Sequence, residues 1–228
     1  AADLQRLEAV REAIGPRGRI RVDVNGAWDL TTATTILPLI DKAAGGLEYA
    51  EQPCPGVDDL AALRRAVDVP IAADESIRLS ADPLAVARSD AADVAVLKVA
   101  PLGGARRAFA LAERLAMPVV VSSALDTSVG MSAGVALAAA LPGPAGACGL
   151  GTVSLLERDV AAPSLVPGGG TLAVRPVHVS RRLLAAVVAD DELTARWQVR
   201  LGHILNALRT RRERERDDPS SAVAGLPL

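Results

Sequence analysis

Residues 46–101 read GLEYAEQPCPGVDDLAALRRAVDVPIAADESIRLSADPLAVARSDAADVAVLKVAP. Three short apolar runs, Gly46–Gln52, Ile71–Ser76 and Val94–Ala100, alternate here with segments of helical character at Asp58–Val67 and Asp82–Arg88. Runs of this length, rich in Val, Ile, Leu and Ala, suit strands buried on both faces. Strand–helix alternation with short connections makes a parallel sheet with helical crossovers. The alternation continues outward on both sides. Strand-like runs recur at Arg19–Asn25, Val119–Ala124 and Ala145–Gly151, and helical segments at Leu30–Ala44, Ala105–Ala116 and Val129–Ala140.

A polar residue closes almost every run: Asp23, Glu51, Asp74, Lys98 and Ser122. Their spacings are 28, 23, 24 and 24 residues, close to one βα unit each. Parallel strands point the same way, so these side chains gather at one sheet edge, where α/β proteins bind ligands. The even spacing, with no Gly-rich phosphate fingerprint after the first strand, favours a barrel over a Rossmann sheet. A complete eightfold barrel takes about 250 residues, and this chain has 228.

Composition narrows the function classes. Half the residues are apolar and mean hydropathy is +0.27, enough for a sizeable core and against disorder over the whole chain. The 25 basic and 27 acidic residues nearly cancel, without the footprint of a nucleic-acid or anionic-membrane binder. Only Trp28, Tyr49, Phe109 and Trp197 are aromatic, too few for base stacking. Cys54 and Cys148 form no disulfide framework, and no apolar run is long enough to span a membrane. The expected setting is the cytoplasm.

Three acids at successive strand ends repel one another unless a cation neutralises them. Asp23 in RVDVN, Glu51 in YAEQP and Asp74 in AADES together suit a hard, oxygen-preferring ion such as Mg²⁺. Any one of them alone reads more simply as a helix N-cap. Lys98, in VLKVAP, stands out because 23 of the 25 basic residues are Arg and the only other Lys is Lys42. Arg cannot release its proton near neutrality, whereas a partly desolvated Lys can titrate into a working range. The segment Ser122–Ser128 offers hydroxyls and N–H groups for a substrate carboxylate, and its Asp126 and Ser128 serve equally well as helix caps. His178 and His203 lie beyond the repeats and are expected to be structural or exposed.

The series RVDVNGAW, YAEQPC, IAADES, VLKVAPLGG and VSSALDTSVG resembles the barrel of the enolase superfamily, over residues 1–179. The resemblance implies an α/β fold, an incomplete TIM-type (β/α) barrel made of strands three to eight, lacking the N-terminal capping domain and first two strands. It implies Asp23, Glu51 and Asp74 as Mg²⁺ ligands on barrel strands three, four and five, and Lys98 as the sixth-strand lysine. Ser122 and Ser123, with Asn25, would line the pocket of a small-molecule carboxylate substrate. The implied activity is that of the superfamily's dehydratases, in which a strand-two lysine removes an α-proton to give an enediolate stabilised by the metal. Lys98 would lie across that planar intermediate and attract it by cation–π interaction.

Racemases and dipeptide epimerases of the same superfamily are the alternative, and a non-catalytic remnant that only binds metal is a third reading. The strand-two motif, Lys-x-Lys, occurs nowhere in the sequence. A missing N-terminal segment or a complementary chain would have to supply it, and the 228 residues alone are expected to be inactive. Residues 180–210 are expected to form C-terminal helices, and 211–228 a charged, disordered tail.

Overall fold

The computed structural model describes residues 2–143 and 146–217. Five strands, β1 (Ile20–Asp23), β2 (Leu47–Glu51), β3 (Ile71–Ala73), β4 (Val94–Lys98) and β5 (Val119–Ser122), form one sheet. Their order is β1-β2-β3-β4-β5 and every pair is parallel. Strand order that never reverses is the winding of a barrel, since a doubly wound sheet turns back at a switch point. The sheet is therefore part of an incomplete barrel, as the sequence predicts.

The helices between the strands are α2 (Leu30–Ala44), α3 (Val57–Ala66), the single turns α4 (Glu75–Arg78) and α5 (Ala85–Arg88), and α6 (Ala105–Leu115). Helix α1 (Ala2–Ile14) precedes the sheet and α7 (Ser128–Ala140) follows it. Local chemistry sets their ends. The Asp29 carboxylate accepts a hydrogen bond from the Thr32 amide (2.7 Å) at the start of α2, and Gly45, at φ +62°, closes it. Arg11 of α1 donates to the Ala44 carbonyl (2.5 Å) and to the Gly15 and Gly18 carbonyls (2.8 and 2.7 Å). One side chain thus seals the ends of two helices.

Period-2 alternation divides the sheet into two faces. Ala50, Ile71, Ala73, Ala95, Leu97, Val119 and Val121 point outward into the main core, where Leu37, Leu60, Leu63, Leu111 and Met131 from the helices cover them. Tyr49, Ala72, Val96 and Val120 point inward and form a second, smaller cluster. Two residues further along each strand, on that same inner face, come Glu51, Asp74, Lys98 and Ser122.

Arg21 braces the inner face at its other end. Its guanidinium lies 4.6 Å from the Tyr49 ring centre, with Nε donating to Glu48 (2.6 Å) and Nη1 to the Ala147 carbonyl (2.6 Å). It ties the first strand to the segment after the last helix of the repeat. Arg21→Ala is expected to cost about 1.5–3 kcal/mol, the range for hydrogen bonds to charged groups. Urea unfolding checks this, with Arg19→Ala, whose side chain is exposed, as a near-neutral control.

Several elements differ from expectation. The run Ala145–Gly151 yields one parallel bridge, Ser122↔Gly149, rather than a strand, and its first residue lies outside the described residues. At Gly149 any side chain would collide with Ser122, its Cβ falling 2.7 Å from Oγ, so glycine permits this close approach. The helix expected over Asp82–Arg88 begins only at Ala85. Pro83 and the Asp82 carboxylate, which accepts from the Leu84 amide (3.3 Å), hold the preceding residues in a turn. A 3-10 turn, Thr152–Leu155, follows the bridge, and Ser164–Arg175, whose sequence predicts an extended hairpin around Gly168–Gly170, makes only a tight turn closed by Gly168↔Thr171.

The C-terminal helices are α8 (Arg181–Ala185) and α9 (Asp191–Asp217). Helix α9 runs through the first part of the segment expected to be disordered, and the rest of that tail, residues 218–228, lies outside the described residues. No described helix is long and apolar enough to cross a membrane.

Candidate active site

The strand ends bring the predicted polar residues together. Asp23 stands opposite Glu51 in the β1–β2 register, and Lys98 opposite Ser122 in the β4–β5 register. Asp74 follows β3 directly, is wholly buried, and joins the two pairs. Lys98 Nζ donates to Asp74 Oδ2 at 2.5 Å, and Arg78 Nε donates to Asp74 Oδ1 at 2.9 Å. Arg78 also holds Glu75 Oε1 at 2.6 Å, while Glu75 Oε2 is buried without a partner among the described residues.

Glu51 is the electrostatic centre of the cluster. Burial first, and then the charges of Asp23 and Asp74, together push its carboxyl up to about 7 against the opposing pull of Lys98. Among the described residues neither Asp23 nor Glu51 has an ion-pair partner. Two hard carboxylates without a counter-cation, beside a third, make a donor set that suits a divalent, oxygen-seeking ion. No three Asp, Glu, His or Cys side chains among the described residues converge as a ready cage. Asp74 is turned toward Lys98 and Arg78, so a cation would share it with them.

The raised Glu51 value carries a prediction for the metal-free protein. Its folded value of about 7 lies above the ordinary 4.5, so the folded state favours the proton. The contribution to stability is full below pH 4.5 and lost as pH rises through 7. Thermal melts in chelator should therefore fall in midpoint across this window, and Glu51→Gln should flatten the fall. A wild-type midpoint that rises between pH 5 and 8, relative to Glu51→Gln, would contradict it.

The two serines part company. Ser122 sits on the inner row, whereas Ser123 is buried and donates to the Gly149 carbonyl (2.9 Å) while accepting from Thr152 Oγ1 (2.9 Å). Ser123 thus serves the loop that follows β5. Asn25 is exposed just beyond β1, at φ +51°, and its amide donates to Asp23 Oδ1 (2.9 Å). His178 and His203 are exposed and far from the row in sequence. Cys54 is buried, which pushes its thiol up to about 11 and leaves no ready nucleophile.

A cavity of about 420 Å³ lies away from these acids, between α7 and residues 147–174, with Val135, Cys148 and Leu172 in its lining. Its walls are apolar and hold none of the candidate groups. Arg78 and Gln52 are site residues that sequence reasoning missed. Arg78 was findable, because its i+4 spacing from Asp74 places the two on one helical turn.

A winding of parallel strands with acids and one lysine at its mouth defines the class. The family profile "Enolase C-terminal domain-like" matches residues 1–177, and the chain belongs to this family. Among curated relatives, o-succinylbenzoate synthase of Thermobifida fusca is 59% identical over 201 residues, covering 88% of this chain and 62% of the relative. The protein of the same name from Mycobacterium bovis is 52% identical over 197 residues, covering 86% of this chain and 59% of the relative. The chain thus spans about three-fifths of the length of these relatives.

Solved structures agree on the fold. Muconate lactonizing enzyme of Pseudomonas fluorescens superimposes with TM-score 0.72 at 28% identity, over 81% of this chain and 52% of that one. The L-Ala-D/L-Glu epimerase of Bacillus subtilis gives 0.66 at 26% identity, over 78% and 50%.

Proposed function

We propose that this chain forms the larger part of an o-succinylbenzoate synthase. The reaction is dehydration of 2-succinyl-6-hydroxy-2,4-cyclohexadiene-1-carboxylate to o-succinylbenzoate, a step toward menaquinone. The observation that carries the reading is the inner row itself: Asp23, Glu51 and Asp74 beside Lys98, in a chain 59% identical to a synthase. Asp23, Glu51 and Asp74 would hold a divalent cation, which we take to be Mg²⁺. Once bound, it offsets the negative charge that grows on a substrate carboxylate as the α-proton leaves.

The chain's own residues supply the rest. Lys98, hydrogen-bonded to Asp74, is held in orientation and places its ammonium beside the planar anion that proton loss creates. Ser122, next to Lys98 in register, donates to the substrate, and Asn25 lies at the rim. Removal of the α-proton and departure of the β-hydroxyl as water need a base, which we assign to a lysine outside these 228 residues.

The test is a chimera joining the N-terminal portion of the Thermobifida fusca relative to this chain. With Mg²⁺ and the hydroxycyclohexadiene substrate it should form the aromatic product, followed by ultraviolet absorbance. The 228 residues alone should show no turnover. A chimera that racemises N-acylamino acids without dehydrating this substrate would replace the proposal with the racemase reading.

A further inference from the structure

Gln52 is wholly buried and follows Glu51 directly. Its backbone, at φ +40°, lies in the left-handed region that side-chain-bearing residues rarely adopt. That turn removes it from the strand alternation and swings its carboxamide toward the end of β3. There every polar atom is used. Oε1 accepts from the Asp74 amide (3.0 Å) and the Ser76 amide (3.1 Å). Nε2 donates to the Cys54 carbonyl (2.9 Å) and to Ser76 Oγ (2.6 Å). Its own amide donates to the Ala72 carbonyl (2.8 Å), and its carbonyl accepts from Gly26, in the loop after Asp23 (2.7 Å).

One residue thus touches the backbone around all three candidate ligands. The amides of Asp74 and Ser76 open α4 and have no partner within it, so an acceptor must come from elsewhere. Gln52 supplies it from the neighbouring strand. A glutamine both accepts and donates here, which a carboxylate or an aliphatic side chain cannot do. A backbone strain of this kind persists only where surrounding contacts over-determine it.

We propose that Gln52 is a positioning residue that sets the spacing of Glu51, Asp74 and Asp23 for a divalent cation. This rests on the cation-site reading above. Groups that orient ligands typically carry a 10- to 100-fold share of metal affinity, and Gln52 acts through three ligand-bearing segments at once.

The test is calorimetric titration of the 228-residue chain with Mn²⁺. Gln52→Leu, folded by circular dichroism and melting, should bind about 10- to 100-fold more weakly, with faster hydrogen exchange at the Asp74 and Ser76 amides. Gln52→Glu, which keeps the two acceptances but loses the donations to Cys54 and Ser76, should lose less affinity than Gln52→Leu. A folded Gln52→Leu with wild-type affinity would overturn the proposal. If Gln52→Leu does not fold, Ser76→Ala, which removes only one of the two acceptors of Gln52 Nε2, should show a smaller loss, and unchanged affinity there would overturn it. Asp23→Asn separates the two readings. Weakened binding in Asp23→Asn beside unchanged binding in Gln52→Leu defeats the positioning role alone. No Mn²⁺ binding by the wild-type chain defeats both.

Discussion

Replacing Asp74 with Asn should destabilise the chain by about 3–5 kcal/mol, the cost of breaking a buried ion pair from one side. Asp74 is wholly buried, and its two oxygens receive Lys98 at 2.5 Å and Arg78 at 2.9 Å. The neutral amide leaves the largely buried Lys98 and Arg78 cations beside one another without their shared carboxylate, Arg78 keeping only Glu75. The loss arises from those stranded charges rather than from the worth of the original pair. Asp74→Asn combined with Lys98→Met should therefore recover part of the stability, since it removes one of them. Denaturant titration of the two single variants and the double variant gives the coupling directly. Simple additivity of the singles would show that the ion pair does not hold this part of the mouth together.

Lys98→Ala should lower turnover of the chimera by about 10²- to 10⁴-fold, the usual share of a positioned acid–base or charged group. Lys98→Arg should not restore it. The guanidinium is planar and wider than an ammonium and holds its proton throughout the working range. Arg78 already occupies the other side of Asp74, so a second guanidinium would crowd the same carboxylate. Steady-state rates at saturating substrate distinguish this from a binding effect: the loss should fall on kcat rather than KM. Lys42, exposed on α2, serves as control, and Lys42→Ala should leave the rate unchanged.

Much of this site was legible because its residues obey two simple rules. Period-2 alternation dictates that Tyr49 and Glu51, or Val96 and Lys98, share a face, and parallel winding brings the strand ends to one mouth. Lys98 was conspicuous because a sequence this rich in Arg retains only two lysines. What pattern cannot convey is which partner a side chain takes. Ser122 and Ser123 look equivalent in sequence, yet alternation separates them, and Ser123 turns to Gly149 and Thr152.

Gln52 was missed for a related reason. Its importance depends on a left-handed backbone and on amides 22 and 24 residues away, neither of which periodicity records. The helix at Asp82–Arg88 was overextended because its composition suits a helix, while Pro83 and the Asp82 side chain favour a turn. The last strand shrank to a bridge at Gly149, since an apolar run signals burial without ensuring a ladder partner on both sides.

The central claim is that Asp23, Glu51 and Asp74 together form a cation site. Mg²⁺ titration of the 228-residue chain at pH 7, run in two buffers of different ionisation enthalpy, tests it most directly. Because the Glu51 carboxyl sits at about 7 without metal, part of the population is protonated, and binding must expel that proton. The account predicts one-site binding with proton release that disappears in Glu51→Gln. Absence of binding, or binding with the same proton release in Glu51→Gln, would contradict it.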